Sequence, residues 1–132
     1  MYKWDNRYCI GEPHIDSQHQ KLFQICERIM KIFQYDDEAR NQRAVAEAVK
    51  YLKNYTIEHF ANEEAYQRAI GYEGFAEHHQ KHEEFTQTIL KEEKILEESG
   101  YASEDVAQFV KIVNDWLVDH IMRCDQAIVP GK

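Results

Sequence analysis

The chain has 132 residues, 43% of them hydrophobic and 30% charged, a composition that suits a folded globular domain and is too apolar for a disordered one. A net charge of −8 leaves nothing to neutralise a row of phosphates and so argues against nucleic acid as a partner. No apolar run approaches the length of a membrane span, and the opening Met1-Tyr-Lys-Trp-Asp lacks the apolar stretch of a signal peptide, so a cytoplasmic location without membrane association is expected.

Residues 1–15, with Trp4, Tyr8 and Ile10, read as an N-terminal arm packing on a helical bundle. A first helix is predicted from about Ser17 to Gln34 with Asp16 as its N-cap, its stripe running through His19, Leu22, Phe23, Cys26, Met30 and Phe33. A second, from about Asn41 to Ala69, carries Val45, Ala48, Leu52, Tyr55, His59, Glu63 and Tyr66 on one face, and Gly71 ends it. The third runs from about Gly74 to Glu98 with Phe75, His78, His82, Phe85, Ile89 and Leu96, closed by Ser99-Gly100. Ser103-Glu-Asp opens the fourth, whose stripe is Val106, Phe109, Val113, Trp116, Leu117, His120, Ile121 and Cys124.

Five glycines and two prolines leave few places to break helices, and the predicted linkers are short. The expected fold is all-α: an up-down-up-down antiparallel four-helix bundle, one domain over residues 1–132. Cys9, Cys26 and Cys124 are odd in number and lack Cys-x-x-Cys spacing, which argues against a disulfide framework or zinc ribbon. Cys26 and Cys124 read as small core residues.

Polar residues on these stripes need an explanation. His19, His59 and His120 sit on core positions of three helices, Glu63 lies one turn beyond His59, and His78 and His82 repeat that spacing on the remaining helix. Burying so many imidazoles and a carboxylate unpartnered would cost several kcal/mol per group, roughly, whereas a shared cation satisfies them together. Asp125 is less readily placed: from His120 it lies about 140° around an ideal helix, so it joins the set only if the helix is locally distorted.

Imidazole and carboxylate donors suit zinc, iron, copper or nickel, and the lack of thiolates removes the softer options. Seven ligands are too many for one tetrahedral zinc. With both carboxylates bridging and one bridging oxygen they suit two six-coordinate ions, leaving one position open. That arithmetic favours a dinuclear iron or manganese centre.

The ordered fragments Trp4, Ile15-Asp16-Ser-Gln-His19 with Lys21-Leu22-Phe23, His59-Phe60-x-x-Glu63-Glu64, His78-x-x-x-His82-x-x-Phe85 and Trp116-x-x-x-His120-Ile121 with Asp125 resemble the hemerythrin family, in particular its single-domain bacterial members. The resemblance covers almost the whole chain. It implies a non-haem di-iron centre that binds O2 reversibly, for oxygen storage, transport or delivery. His78, His82 and His120 would hold one iron and His19 and His59 the other. Glu63, Asp125 and an oxo or hydroxo group would bridge the two. O2, or NO or another small anion, would take the open position beside His19 and His59.

An apolar pocket of Phe23, Phe60, Ile121 and Trp4 is expected around that position. Where relatives often carry a Met after the Glu-Glu pair, this chain has Tyr66-Gln67. Enzymatic di-iron sites are built from Glu and Glu-x-x-His pairs, and the chain contains no Glu-x-x-His, so a carrier is expected rather than an enzyme. A sensing module acting with a partner in trans is the alternative. His14, His79 and Glu64 read as solvated side chains.

Overall fold

The computed structural model describes residues 4–32 and 38–128. They form α1 (Pro13–Ile32), α2 (Glu38–Ile70), α3 (Phe75–Ser99) and α4 (Ser103–Arg123), with short 3-10 turns at Asn6–Tyr8 and Asp125–Ala127 and no strand. Phe33 and Gln34, assigned by the sequence to the end of the first helix, lie outside the described residues, as do residues 1–3 and 129–132.

α1 begins four residues earlier than expected. Pro13 enters with the fixed φ that suits the first helical position, and the Glu12 carboxylate accepts the Ile15 backbone N–H at 2.7 Å. Asp16 is therefore inside the helix and not its cap. Its buried carboxylate turns back to accept the N–H groups of Ile10 at 2.7 Å and Gly11 at 3.2 Å, tying the arm to α1. The arm thus ends at residue 12 rather than 15.

α2 and α3 stop in the same way. Gly71 and Gly100 adopt the left-handed conformation (φ 67° and 69°) just past each helix, where a side chain would be strained. Tyr72 N–H reaches back to Gln67 O and Tyr101 N–H to Leu96 O, both at 2.9 Å, satisfying carbonyls that the helix leaves open. The links after these helices, residues 71–74 and 100–102, are too short to let the chain do anything but reverse.

Each helix packs on its sequence neighbours, and α4 closes the ring against α1. Cross-helix pairs such as Lys53–Glu93 and Phe60–His82 between α2 and α3, and Phe85–Trp116 and His78–His120 between α3 and α4, run in opposite senses along the chain. The bundle is therefore antiparallel.

Its core divides in two. Leu22, Cys26, Ile29, Val45, Val49, Leu52, Phe85, Ile89, Leu96, Val106, Phe109, Val113 and Leu117 make a continuous apolar interior. A smaller cluster of Ile10, Ile15, Phe23 and Ile121, backed by Trp4 and Tyr8, lies under the arm. No described helix is long and apolar enough to cross a membrane.

Candidate metal centre

Antiparallel order brings the starts of α1 and α3 to the same end of the bundle as the finishes of α2 and α4. His19, His78 and His82 lie early in their helices, and His59, Glu63 and His120 lie late. Helix direction alone therefore gathers them at one end. All seven residues expected from the sequence are together there, each buried to at least 96%.

Asp125 joins them because α4 does not continue to it. The helix ends at Arg123, Cys124 departs to φ −115°, and a 3-10 turn begins at Asp125. Ile128, fully buried, anchors the turn with its N–H on Asp125 O at 3.1 Å. The break removes the 140° mismatch that an unbroken helix would impose.

The two carboxylates face both ways. Glu63 Oε1 lies 3.0 Å from His78 Nε2 and 3.2 Å from His82 Nε2, while its Oε2 lies 3.5 Å from the Nε2 atoms of both His19 and His59. Asp125 Oδ1 lies 2.8 Å from His78 Nε2 and 3.0 Å from His120 Nε2, and its Oδ2 lies 3.1 Å from His19 Nε2. His120 Nε2 is also 2.8 Å from His78 Nε2 and 3.2 Å from His82 Nε2.

Two donor sets result: Glu63, His78, His82, His120 and Asp125, and His19, His59, Glu63 and Asp125. The carboxylates belong to both. For donors about 2.1 Å from an ion, neighbouring corners of an octahedron are about 3.0 Å apart, so the spacing in the first set is that of a six-coordinate shell.

Unlike the contacts made by His120 Nε2, those of Glu63 and Asp125 with the histidines are close but not aligned as hydrogen bonds. Glu63 Oε1 and Oε2, Asp125 Oδ1 and His19 Nε2 are buried without a hydrogen-bond partner. Lone pairs converging on shared points without aligned donors are what a cation requires and what a dry core would penalise.

The charges agree. Burial disfavours imidazolium at His19 and His78, yet the carboxylates of Asp125 and Glu63 outweigh it and raise both to about 9. His59 goes the other way, to about 3, through burial and the neighbouring positive charge of His19. Burial pushes the Glu63 and Asp125 carboxyls up, joined at Glu63 by repulsion from Asp125, but the surrounding histidines hold both below the usual carboxylate range. The site is built for positive charge.

A ring of outer partners orients the imidazoles, and helical spacing gave no sign of it. His82 Nδ1 donates to Glu64 Oε2 at 2.8 Å, and half-exposed His79 donates from Nδ1 to Glu64 Oε1 at 2.6 Å. His59 Nδ1 donates to Gln18 Oε1 at 2.7 Å, and the Gln18 amide donates in turn to His14 Nε2 at 3.3 Å. Glu64, expected to be solvated, is buried, and neither His14 nor His79 is idle. Donation from Nδ1 leaves Nε2 as the lone pair that faces the centre.

Aromatic rings wall the site. Trp4 and Phe23 meet edge to face at 5.7 Å, Tyr8 stacks on Phe23 at 5.4 Å, and Trp4 lies 6.5 Å from the His19 ring. Phe60, expected in the same pocket, touches His59 at 6.0 Å but stacks on His82 at 3.9 Å, so it serves both sides. Trp116 stacks on His120 at 4.2 Å. Gln67, one turn beyond Glu63, is fully buried with both amide atoms unpartnered. Cys26 is a core residue, but Cys124 is half-buried on the wall of a cavity of about 170 Å³ beside His78 and accepts a hydrogen bond from Lys81 Nζ at 3.2 Å.

Comparison with known proteins places this architecture. The profile of the hemerythrin HHE cation binding domain matches residues 11–130. A bacteriohemerythrin of Clostridium acetobutylicum is 25% identical over 130 residues, covering 98% of this chain and 99% of that one. A myohemerythrin of Riftia pachyptila is 30% identical over 124 residues, covering 94% of this chain and 88% of its own. A crystal structure of a hemerythrin mutant superposes with a TM-score of 0.83 at 23% identity, covering 97% of this chain and 94% of that one, and shows the same fold. With the family profile spanning nearly its whole length, the chain belongs to the hemerythrin family of cation-binding domains.

Proposed function

We propose that the protein binds O2 reversibly at a non-haem di-iron centre held by His19, His59, Glu63, His78, His82, His120 and Asp125. The observation that carries this reading is the two-way orientation of Glu63 and Asp125, each offering one oxygen to the three-histidine side and the other to the His19 side. Two iron ions held by these residues would supply the electrons that O2 takes up on binding and returns on release.

The protein's own residues account for reversibility. His78, His82, His120 and one oxygen from each carboxylate would hold one ion with five protein donors. His19 and His59 with the other two carboxylate oxygens would hold the second with four, so a small ligand would find room on their side. Trp4, Phe23 and Ile121 form an apolar wall there, which keeps out the water and protons that would drive irreversible oxidation. Five neutral imidazoles against two carboxylates leave the centre rich in positive charge, which disfavours the high-valent iron that an oxidase needs.

Metal analysis should find two iron ions per chain. The reduced, iron-loaded protein should gain a visible absorption band in air and lose it when O2 is removed. A band that fails to form or fails to reverse would sink the proposal, and steady consumption of O2 with an added reductant would favour an enzyme instead.

A further inference from the structure

The two hydrogen-bonded chains that reach the centre from outside differ in one respect. His79–Glu64–His82 passes through a carboxylate, and His14–Gln18–His59 passes through an amide. Gln18 and Glu64 are equally buried, at 8% exposure, and each accepts from the Nδ1 of a nearly inaccessible imidazole. His19, by contrast, has a buried Nδ1 with no acceptor. These imidazoles are therefore graded, with an anionic acceptor behind His82, a neutral one behind His59 and none behind His19.

An N–H donating to a carboxylate is a stronger, charge-assisted hydrogen bond than one donating to an amide, and it makes the far nitrogen a more basic ligand. We infer that Glu64 is a positioning residue that makes the two metal positions electronically unequal, holding the first positive charge gained on oxidation at the three-histidine position. Gln18 orients His59 without adding charge, which leaves the O2-facing position the more reducing of the two in the half-oxidised state. His79, from the half-exposed surface, holds the second Glu64 oxygen and fixes the carboxylate against His82. This inference rests on the di-iron reading proposed above.

The test is a charge swap. Glu64→Gln keeps the shape and an acceptor oxygen while removing the charge, and Gln18→Glu adds a charge on the opposite side. Iron content, chelator competition and spectroelectrochemical titration are measured on the parent, both single variants and the double swap, each fully iron-loaded.

Glu64→Gln should retain two irons, with affinity lower by about 10- to 100-fold. Its first oxidation should become at least tenfold less favourable, which is about 59 mV for one electron. Gln18→Glu should shift that step in the opposite direction. Azide, as a small-anion probe of the open position, should bind the half-oxidised double swap more tightly than the half-oxidised parent, because the ferric ion moves to the His19 side. A purely structural role would change affinity or melting and leave the potential in place. Unchanged potentials in both single variants overturn the inference while leaving the di-iron reading intact. A parent that takes up no iron overturns both.

Discussion

Raising the pH of the metal-free protein should destabilise it over a defined window. His19 and His78 rise from 6.5 to about 9 in the folded chain, because the Asp125 and Glu63 carboxylates outweigh the effect of burial. A group whose pKa is raised on folding contributes stability that is complete below its unfolded value and lost as pH climbs through its folded value. The window is therefore pH 6.5 to 9. At about 1.4 kcal/mol for each pH unit separating the unfolded and folded values, each histidine contributes about 3.5 kcal/mol.

Because the two histidines share both carboxylates, their combined loss should fall between about 3.5 and 7 kcal/mol, a large part of a typical domain's stability. His59, lowered to about 3, stays neutral in the folded chain across this window and adds nothing to the loss. Its effect, and that of the depressed Glu63 and Asp125 carboxyls, is felt only on the acid side. The assay is urea unfolding followed by far-ultraviolet circular dichroism at half-unit pH steps, with and without metal. Metal occupies the same nitrogen lone pairs, so the loaded protein should be flat across the window, and loading below pH 9 should release protons. An unfolding free energy of the metal-free protein that does not change between pH 6.5 and 9 would mean that the carboxylates do not hold His19 and His78 protonated.

Three other outcomes rest on the geometry. His59→Ala should lower iron content and abolish O2 binding, and it should bring the melting temperature of the loaded protein down towards that of the metal-free form; a variant that kept both properties would remove His59 from the site. Asp125→Asn keeps the shape but loses the charge that faces His19, His78 and His120, so it should hold fewer than two metal ions per chain by elemental analysis. Phe109→Ala, in the apolar half of the bundle and 1% exposed, should cost about 3–5 kcal/mol in urea unfolding while leaving iron stoichiometry unchanged.

Much of the molecule is legible in sequence periodicity alone. Helical spacing places His59 with Glu63 and His78 with His82, and apolar stripes with glycine stops define four helices to within a few residues at the ends that can be compared. Short links make them antiparallel, and that direction is enough to bring early residues of α1 and α3 beside late residues of α2 and α4. The start of α1 is not legible in this way, because Asp16 has the composition of a cap. Its carboxylate instead serves two N–H groups of the arm, a choice made by where the arm lies and not by local propensity.

Periodicity supplies the inventory: which donors exist, and on which helix face each stands. The relations between helices come from packing alone. Asp125 faces the site because the chain leaves the helix at Cys124, a break that no spacing rule announces. Glu64 and Gln18 stand off the apolar stripes of their own helices, and both become buried acceptors once a neighbouring helix brings a histidine within 2.8 Å. Periodicity records the angle of a side chain about its own axis. It carries no information on which partner stands at that angle, and the difference between a solvated carboxylate and one that orients His82 is entirely a matter of that partner.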